Sequence, residues 1–155
     1  MKWGTDYVKY IIDLPEDKRI AGVHCIPITE NGTIVMAWDK EEKLLTTIGG
    51  RIEENESIDE ALEREAMEEV GMILNSKRIP FASWYWQASD TYTVWFLVKA
   101  VKFLPYTFDF EKSGYVISNF ETAKQIISKV ELGNESRIQI LDIAKERAIE
   151  LDWLR

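Results

Sequence analysis

Nine acids and only two bases fall between Arg51 and Glu69. The spacing of three of these acids matters for chemistry. On a helix turning about 100° per residue, Ile58, Leu62, Ala66 and Val70 form one apolar stripe. Glu65 and Glu69, four apart, fall beside Ile58 and Leu62 at the edge of that stripe. Glu68 lies one step further round, next to Arg64 and Ala61. Glu56 precedes the helix, and Glu53 stands in the loop before it. Like charges at this spacing repel by roughly a few tenths of a kcal/mol on an exposed helix. Toward an interior, desolvation adds to that. Arg51 and Arg64 are the only bases in the stretch. A hard divalent cation resolves the conflict, because Mg²⁺ takes carboxylate oxygens and keeps several waters. Such a cation bridges to phosphate oxygens, and two can clamp both ends of a phosphoryl displacement. Gly49-Gly50 fits this chemistry, since two residues without Cβ let the backbone come close to a bound group. The plain alternative is a solvated acidic face, and Asp59, Glu60 and Glu63 are read that way.

The helix that presents these acids is well marked, from about Ile58 to Val70. Ser57 and Glu60 form a capping box, and Gly71 is a natural C-terminal stop. Before it, Ala21 to Thr29 reads as a buried strand. Asn31-Gly32 then signals a hairpin into Ile34 to Trp38, both turn residues being expected at φ > 0. Leu44 to Ile48 is a short strand ending in Gly49-Gly50. After the helix, Arg78 to Gln87 and Thr91 to Val101 read as longer strands around Ala88-Ser89-Asp90. Tyr115 to Ser118 is a last short strand. Ser118 and Glu121 repeat the capping-box pattern ahead of a stripe of Ala123, Ile126, Ile127 and Val130, with Gly133 as its stop. A final helix, from about Glu135 to Trp153, carries Ile140, Leu141, Ala144, Ala148 and Leu151 on one side. The first 20 residues show no clear pattern beyond a turn at Pro15 to Lys18. Strands with one helix in the middle and two at the end imply an α+β or layered α/β/α fold.

A chain of 155 residues with no repeat and no linker-like tract reads as one domain, 1–155. Its net charge of −8 is opposite to that of a general nucleic-acid backbone binder. That charge is local: residues 51–69 carry −7 of it. No apolar run reaches the length needed to span a bilayer, and Met1 to Asp13 lacks the pattern of a signal peptide. Cys25 is the only cysteine, which excludes an internal disulfide and fits a reducing, cytoplasmic setting.

The stretch from Gly50 to Met72 resembles the signature of the Nudix hydrolases, G-x5-E-x7-R-E-U-x-E-E-x-G-U with U aliphatic. Gly50, Glu56, Arg64-Glu65, Glu68-Glu69 and Gly71 occupy its fixed places, with Ala66 and Met72 at the aliphatic ones. The resemblance implies the Nudix fold, a mixed β-sheet between helices in an α/β/α sandwich. It implies a Mg²⁺-dependent hydrolase (Mn²⁺ being the alternative) of a nucleoside diphosphate linked to another group. It places Glu65, Glu68 and Glu69 on the metal, with Glu56 assisting and Arg64 orienting glutamates by ion pairing. Gly49 and Gly50 line the bound group. The general base would be Glu65, Glu68 or an acid outside the motif, for which Glu111 is the candidate. The MutT-like expectation is a nucleoside triphosphate cleaved to monophosphate and pyrophosphate. A nucleotide sugar, a dinucleoside polyphosphate or a capped RNA end is the alternative, as is a non-catalytic nucleotide sensor on the same fold. Many relatives are dimers, so a homodimer stays open. Two positions depart from the common pattern: Ile48 stands where proline usually precedes the glycines, and Asn55 where glycine is common.

Other residues attract notice without fixing a role. Trp84 and Trp86 share one strand face and Tyr85 the other, which suits core packing, a dimer surface or a stacked base. His24 and Cys25, neighbours in a strand, point to opposite faces and cannot act as a nucleophilic pair.

Overall fold

The computed structural model describes residues 8–106, 112–132 and 135–154. The chain runs β1 (Val8–Tyr10), β2 (Arg19–Ile28), β3 (Ile34–Asp39), β4 (Leu44–Thr46), β5 (Ile48–Arg51), α1 (Ile58–Val70), β6 (Met72–Trp86), β7 (Thr91–Phe103), β8 (Lys112–Ser118), α2 (Phe120–Val130) and α3 (Ser136–Glu150). The strands join in one sheet, ordered β1-β6-β7-β2-β3-β4, with β5 paired to β2 and β8 to β3. β2 runs parallel to β7, and the other pairings are antiparallel. The fold is therefore α+β with a mixed sheet, as expected.

Strand alternation divides the core. Val23 and Cys25 of β2, Val35 and Ala37 of β3, and Val94, Phe96 and Val98 of β7 pack with Leu62, Ala66 and Val70 of α1. The intervening residues, among them Ile26, Met36, Trp95 and Leu97, pack with Phe120 and Ile127 of α2 and Ile140 and Leu141 of α3. A central sheet buried on both faces needs apolar residues at nearly every position, which explains the run Val94 to Val98 in β7 and the mostly apolar β2, where His24 is the exception.

Several boundaries differ from the sequence reading. β6 begins at Met72, directly after Gly71, and not at Arg78. The polar residues Asn75, Ser76 and Lys77 hid it, because an irregularity in pairing falls between Leu74 and Arg78. The expected strand Leu44 to Ile48 is two strands broken at Thr47, where the chain leaves β3 and joins β2. The Asn31-Gly32 loop does join β2 to β3, but only Gly32 has positive φ, at 77°. A backbone bond from Thr29 to the Thr33 carbonyl closes a longer turn. The second capping box does not form. Asn119 caps α2, its side chain accepting from Thr122 N–H, while Ser118 Oγ donates to the Asn119 carbonyl. β8 starts at Lys112 instead of Tyr115, and the last helix covers Ser136–Glu150. β1 had no signal in the sequence: it is three residues long, with only Val8 buried. Gly133, the expected helix stop, lies outside the described residues.

Candidate active site

α1 forms for local reasons. Ser57 Oγ accepts from Glu60 N–H at 3.1 Å, and Glu60 accepts from Ser57 N–H at 3.1 Å, which is the expected capping box. Gly71 ends the helix in the left-handed conformation, φ 63°. Asn55 also takes positive φ, 65°, as an asparagine in place of glycine can. The helix therefore starts and stops within a residue of where its caps require.

The expected acids come together on one flank of α1, against β5. Glu69 is buried at 6% exposure, the Glu65 side chain is 13% exposed, and that of Glu68 is 44% exposed. This gradient follows the wheel position of each residue relative to the apolar stripe. Gly49 N–H donates to Glu69 Oε2 at 3.3 Å. A Cβ on Gly50 would lie 2.5 Å from Glu65 Oε1, so the glycine makes room for that carboxylate.

Arg64 gathers the remaining charge. Its Nε donates to Glu56 Oε2 at 2.7 Å and Nη2 to Glu56 Oε1 at 3.0 Å, a bidentate pair. Nη1 reaches Glu65 at 2.9 Å and Glu68 at 3.3 Å, and Nη2 also donates to the Arg51 carbonyl at 3.0 Å. Hydrogen bonding to Arg64 and then to Glu53 N–H holds the Glu56 carboxyl down at about 2. Glu56 is ionised at any working pH. Arg64 is pushed up in turn, first by Glu56 and then by Glu65 against its desolvation.

Among the described residues, no three His, Cys, Asp or Glu side chains stand close enough together to hold a metal ion as placed. Glu65 and Glu68 turn to Arg64 instead, and Glu69 to Gly49. The donor set still fits a hard cation in type. It supplies carboxylate oxygens around one guanidinium, and the Gly50 cradle keeps Glu65 free of side-chain crowding. Glu111 lies outside the described residues.

On the opposite face of β2 and β5, a cavity of about 210 Å³ reaches Gly49. His24, Asp39, Thr47, Trp95, Lys112 and Arg137 line it. Trp95 Nε1 donates to Thr47 Oγ1 at 3.2 Å, and Thr47 Oγ1 bonds His24 Nδ1 at 2.9 Å. His24 stacks on Trp95 with ring centroids 5.4 Å apart. Lys112 Nζ and Asp39 Oδ2 form a buried pair at 3.0 Å. Burial opposes ionisation of Asp39, but the Glu42 N–H, the Lys112 ammonium and the Glu41 N–H outweigh it and lower its pKa. Asp39, Thr47, Lys112 and Arg137 carried no motif. Only the polar break at Thr47 inside an apolar run could have pointed to them.

His24 and Cys25 point to opposite faces, as expected: His24 toward Trp95 and Cys25 into the α1 core. Burial first, then the Glu69 carboxylate, pushes the Cys25 thiol up, so it stays protonated and unreactive. Trp84 packs in the α2–α3 core with Trp86 beside it, and Tyr85 packs at a tilt against Tyr92 on the other face. Burial, then Arg137 and Lys112, lowers the His24 pKa from 6.5 to about 4. The unfolded ring gains a proton below 6.5 while the folded ring stays neutral down to about 4. Stability is therefore complete above that window and falls by roughly 1–3 kcal/mol as pH drops through it. Urea unfolding between pH 7 and 4.5 should show this loss. His24→Phe, which keeps the stack, should flatten the profile. An unchanged slope would assign the loss to other groups.

The helix carboxylates lie beside closely packed glycines on a mixed sheet between helices. The NUDIX domain family model matches residues 18–132, and the chain belongs to the Nudix family, which makes it a hydrolase acting on pyrophosphate bonds. Enzymes of this family generally use a divalent metal and act on small nucleotide derivatives. Among solved structures, the chain is similar to the Bacillus subtilis pyrophosphohydrolase BsRppH (19% identity, TM-score 0.72, 96% of this chain and 93% of that one). It is also similar to a NUDIX hydrolase from Nitrosomonas europaea (16% identity, TM-score 0.60, 89% and 97%). A third likeness is to MutT described from Aliivibrio salmonicida and Vibrio cholerae (18% identity, TM-score 0.60, 79% and 95%). Among curated proteins, none matches the sequence. At these identities the structural likeness shows the shared fold. Among the described residues, no helix is long and apolar enough to cross a membrane.

Proposed function

We propose that the protein is a Mg²⁺-dependent, MutT-like pyrophosphohydrolase that cleaves a nucleoside triphosphate to the monophosphate and pyrophosphate. The observation that carries this reading is the Gly50–Glu65 approach. It sets an acidic helix flank against a strand edge with no side chain between them. Glu65, Glu68 and Glu69 would hold the cation, which, once bound, neutralises charge on the phosphates. Gly49 N–H fixes Glu69, and Arg64 fixes Glu56 and orients Glu65 and Glu68. Glu65 or Glu68 accepts the proton of the attacking water, with Glu111 the candidate outside the motif. The cavity at Gly49 would take the nucleoside end, presenting His24, Thr47 and the Lys112–Asp39 pair to its polar atoms. The protein acts in the cytoplasm as one domain, 1–155, on small molecules and not on nucleic acid or membrane. It acts alone or as a homodimer.

The test is incubation with Mg²⁺ and a panel of nucleoside triphosphates, nucleotide sugars, dinucleoside polyphosphates and capped RNA, with chromatographic separation of products. The expected result is monophosphate and pyrophosphate from at least one triphosphate. Turnover of another compound class alone would move the substrate to that class. No turnover across the panel would leave a nucleotide-binding sensor.

A further inference from the structure

The second acidic edge of α1 is exposed, as the sequence reading has it, yet it is not without partners. Asp59 and Glu63 face solvent and also accept from an arginine of β6. Arg78 Nη1 donates to Asp59 Oδ1 at 2.6 Å and Nη2 to Glu63 Oε1 at 3.1 Å. Its Nε donates to the Asn75 carbonyl at 2.9 Å. The Arg78 side chain is only 5% exposed, whereas its two partners are 68% and 63% exposed. The strand is shaped for this. Leu74 pairs with Ala100 and Arg78 with Val98, so Asn75, Ser76 and Lys77 oppose Lys99 alone. Asn75 Oδ1 accepts from Lys77 N–H and closes the bulge. Bulges re-aim side chains, and this one supplies the carbonyl that orients the guanidinium.

We propose that Arg78 is a positioning residue that fixes the roll of α1 about its own axis, and thereby the placing of Glu65, Glu68 and Glu69. This rests on the reading that those glutamates hold the cation. The buried stripe of α1 is poor in large side chains. Its fully buried members are Ala61, Leu62, Ala66 and Val70, so Leu62 is the one bulky side chain at its centre. Such a surface has shallow ridges and resists rotation weakly. Polar contacts at its two edges supply the resistance. On one edge Glu69 meets Gly49 of β5, and on the other Asp59 and Glu63 meet Arg78 of β6. Side chains reach about 5–6 Å from a helix axis, so a roll of about 20° moves a carboxylate by about 2 Å. A misplacement of about 1 Å can cost about 10²-fold in rate.

Arg78→Met keeps the stem and loses the fork, while Arg78→Lys keeps the charge and loses the fork. The readouts are Mn²⁺ binding to the protein by calorimetry with metal alone, kcat and KM, and Tm. Removing a cation from an acidic region by itself tightens Mn²⁺ binding, so loss of charge and loss of position have opposite signs. Arg78→Met should weaken Mn²⁺ binding by about tenfold and lower kcat by about 10- to 100-fold, with little change in KM. Arg78→Lys should recover Tm but only part of the Mn²⁺ affinity. If Arg78→Met does not fold, Arg78→Lys carries the test alone, because its charge is unaltered. Equal or tighter Mn²⁺ binding in the folded variants, with only a lower Tm, would make Arg78 a stability anchor and overturn the role. Wild-type protein that binds no Mn²⁺ would instead overturn the cation reading, and this role with it.

Discussion

Glu69→Gln should lower kcat/KM by about 10²- to 10³-fold, the size expected when one charged group acting on the reaction is lost, while Tm holds or rises. The two halves of this expectation have separate causes. Glutamine has nearly the shape of glutamate, and its amide oxygen still accepts the Gly49 N–H that Glu69 accepts at 3.3 Å. The fold therefore keeps its contact at β5. What disappears is a carboxylate at 6% exposure beside Glu65 and Cys25. Glu65 stands one turn away on the same flank, and like charges at this spacing repel, so neutralising one of them relieves the helix. Opposite movements of activity and stability mark a residue retained for function. Circular dichroism, thermal melting and steady-state kinetics on the same preparation check both halves. Turnover near that of the wild type would remove Glu69 from the proposed cation site. A parallel fall in Tm and activity would show a structural role only.

Much of the fold and of the site was legible because it depends on local rules. The α1 boundaries follow from Ser57, Glu60 and Gly71, each of which acts within one turn. The facing of Glu65, Glu68 and Glu69 follows from helical periodicity alone. The two core layers follow from alternation in β2 and β7. By contrast, β6 was cut short in the reading because Asn75 to Lys77 break the strand pattern, and their bulge serves a residue on another element. Thr47 divides one apolar run into β4 and β5, a change of partner that no local signal announces.

The same boundary separates the contacts that were read from those that were not. Arg64 with Glu65 and Glu68 is a matter of sequence neighbours and helix turns. Arg78 with Asp59 and Glu63 spans 19 and 15 residues. Lys112 with Asp39 spans 73. Such pairs are created by the sheet order, and the composition of either partner's surroundings gives no hint of them. The acidity of residues 51–69 looked nearly uncompensated within its own stretch. In the folded chain its compensation comes partly from β6, delivered by topology.

Gly49→Ala and Gly50→Ala, adjacent and chemically identical changes, should fail in different ways. A Cβ on Gly49 would lie 2.1 Å from the Val23 carbonyl oxygen and 2.5 Å from His24 Cα. Both obstacles are backbone of β2, so β5 must move away and lose its pairing there. Overpacking of this kind typically costs about 1–3 kcal/mol, and more where no side chain can yield. Gly49→Ala should therefore lower Tm strongly and yield little folded protein. A Cβ on Gly50 meets Glu65 Oε1 at 2.5 Å and Glu65 Cδ at 2.9 Å, the far end of a flexible side chain. That carboxylate can swing aside at small cost. Gly50→Ala should fold with a Tm close to wild type and still lose activity by about 10²-fold, because Glu65 is displaced by about 1 Å or more. Melting curves and kinetics on both variants separate the two outcomes. An active Gly50→Ala enzyme would show that Glu65 needs no fixed place, and would shift the proposed proton acceptor to Glu68.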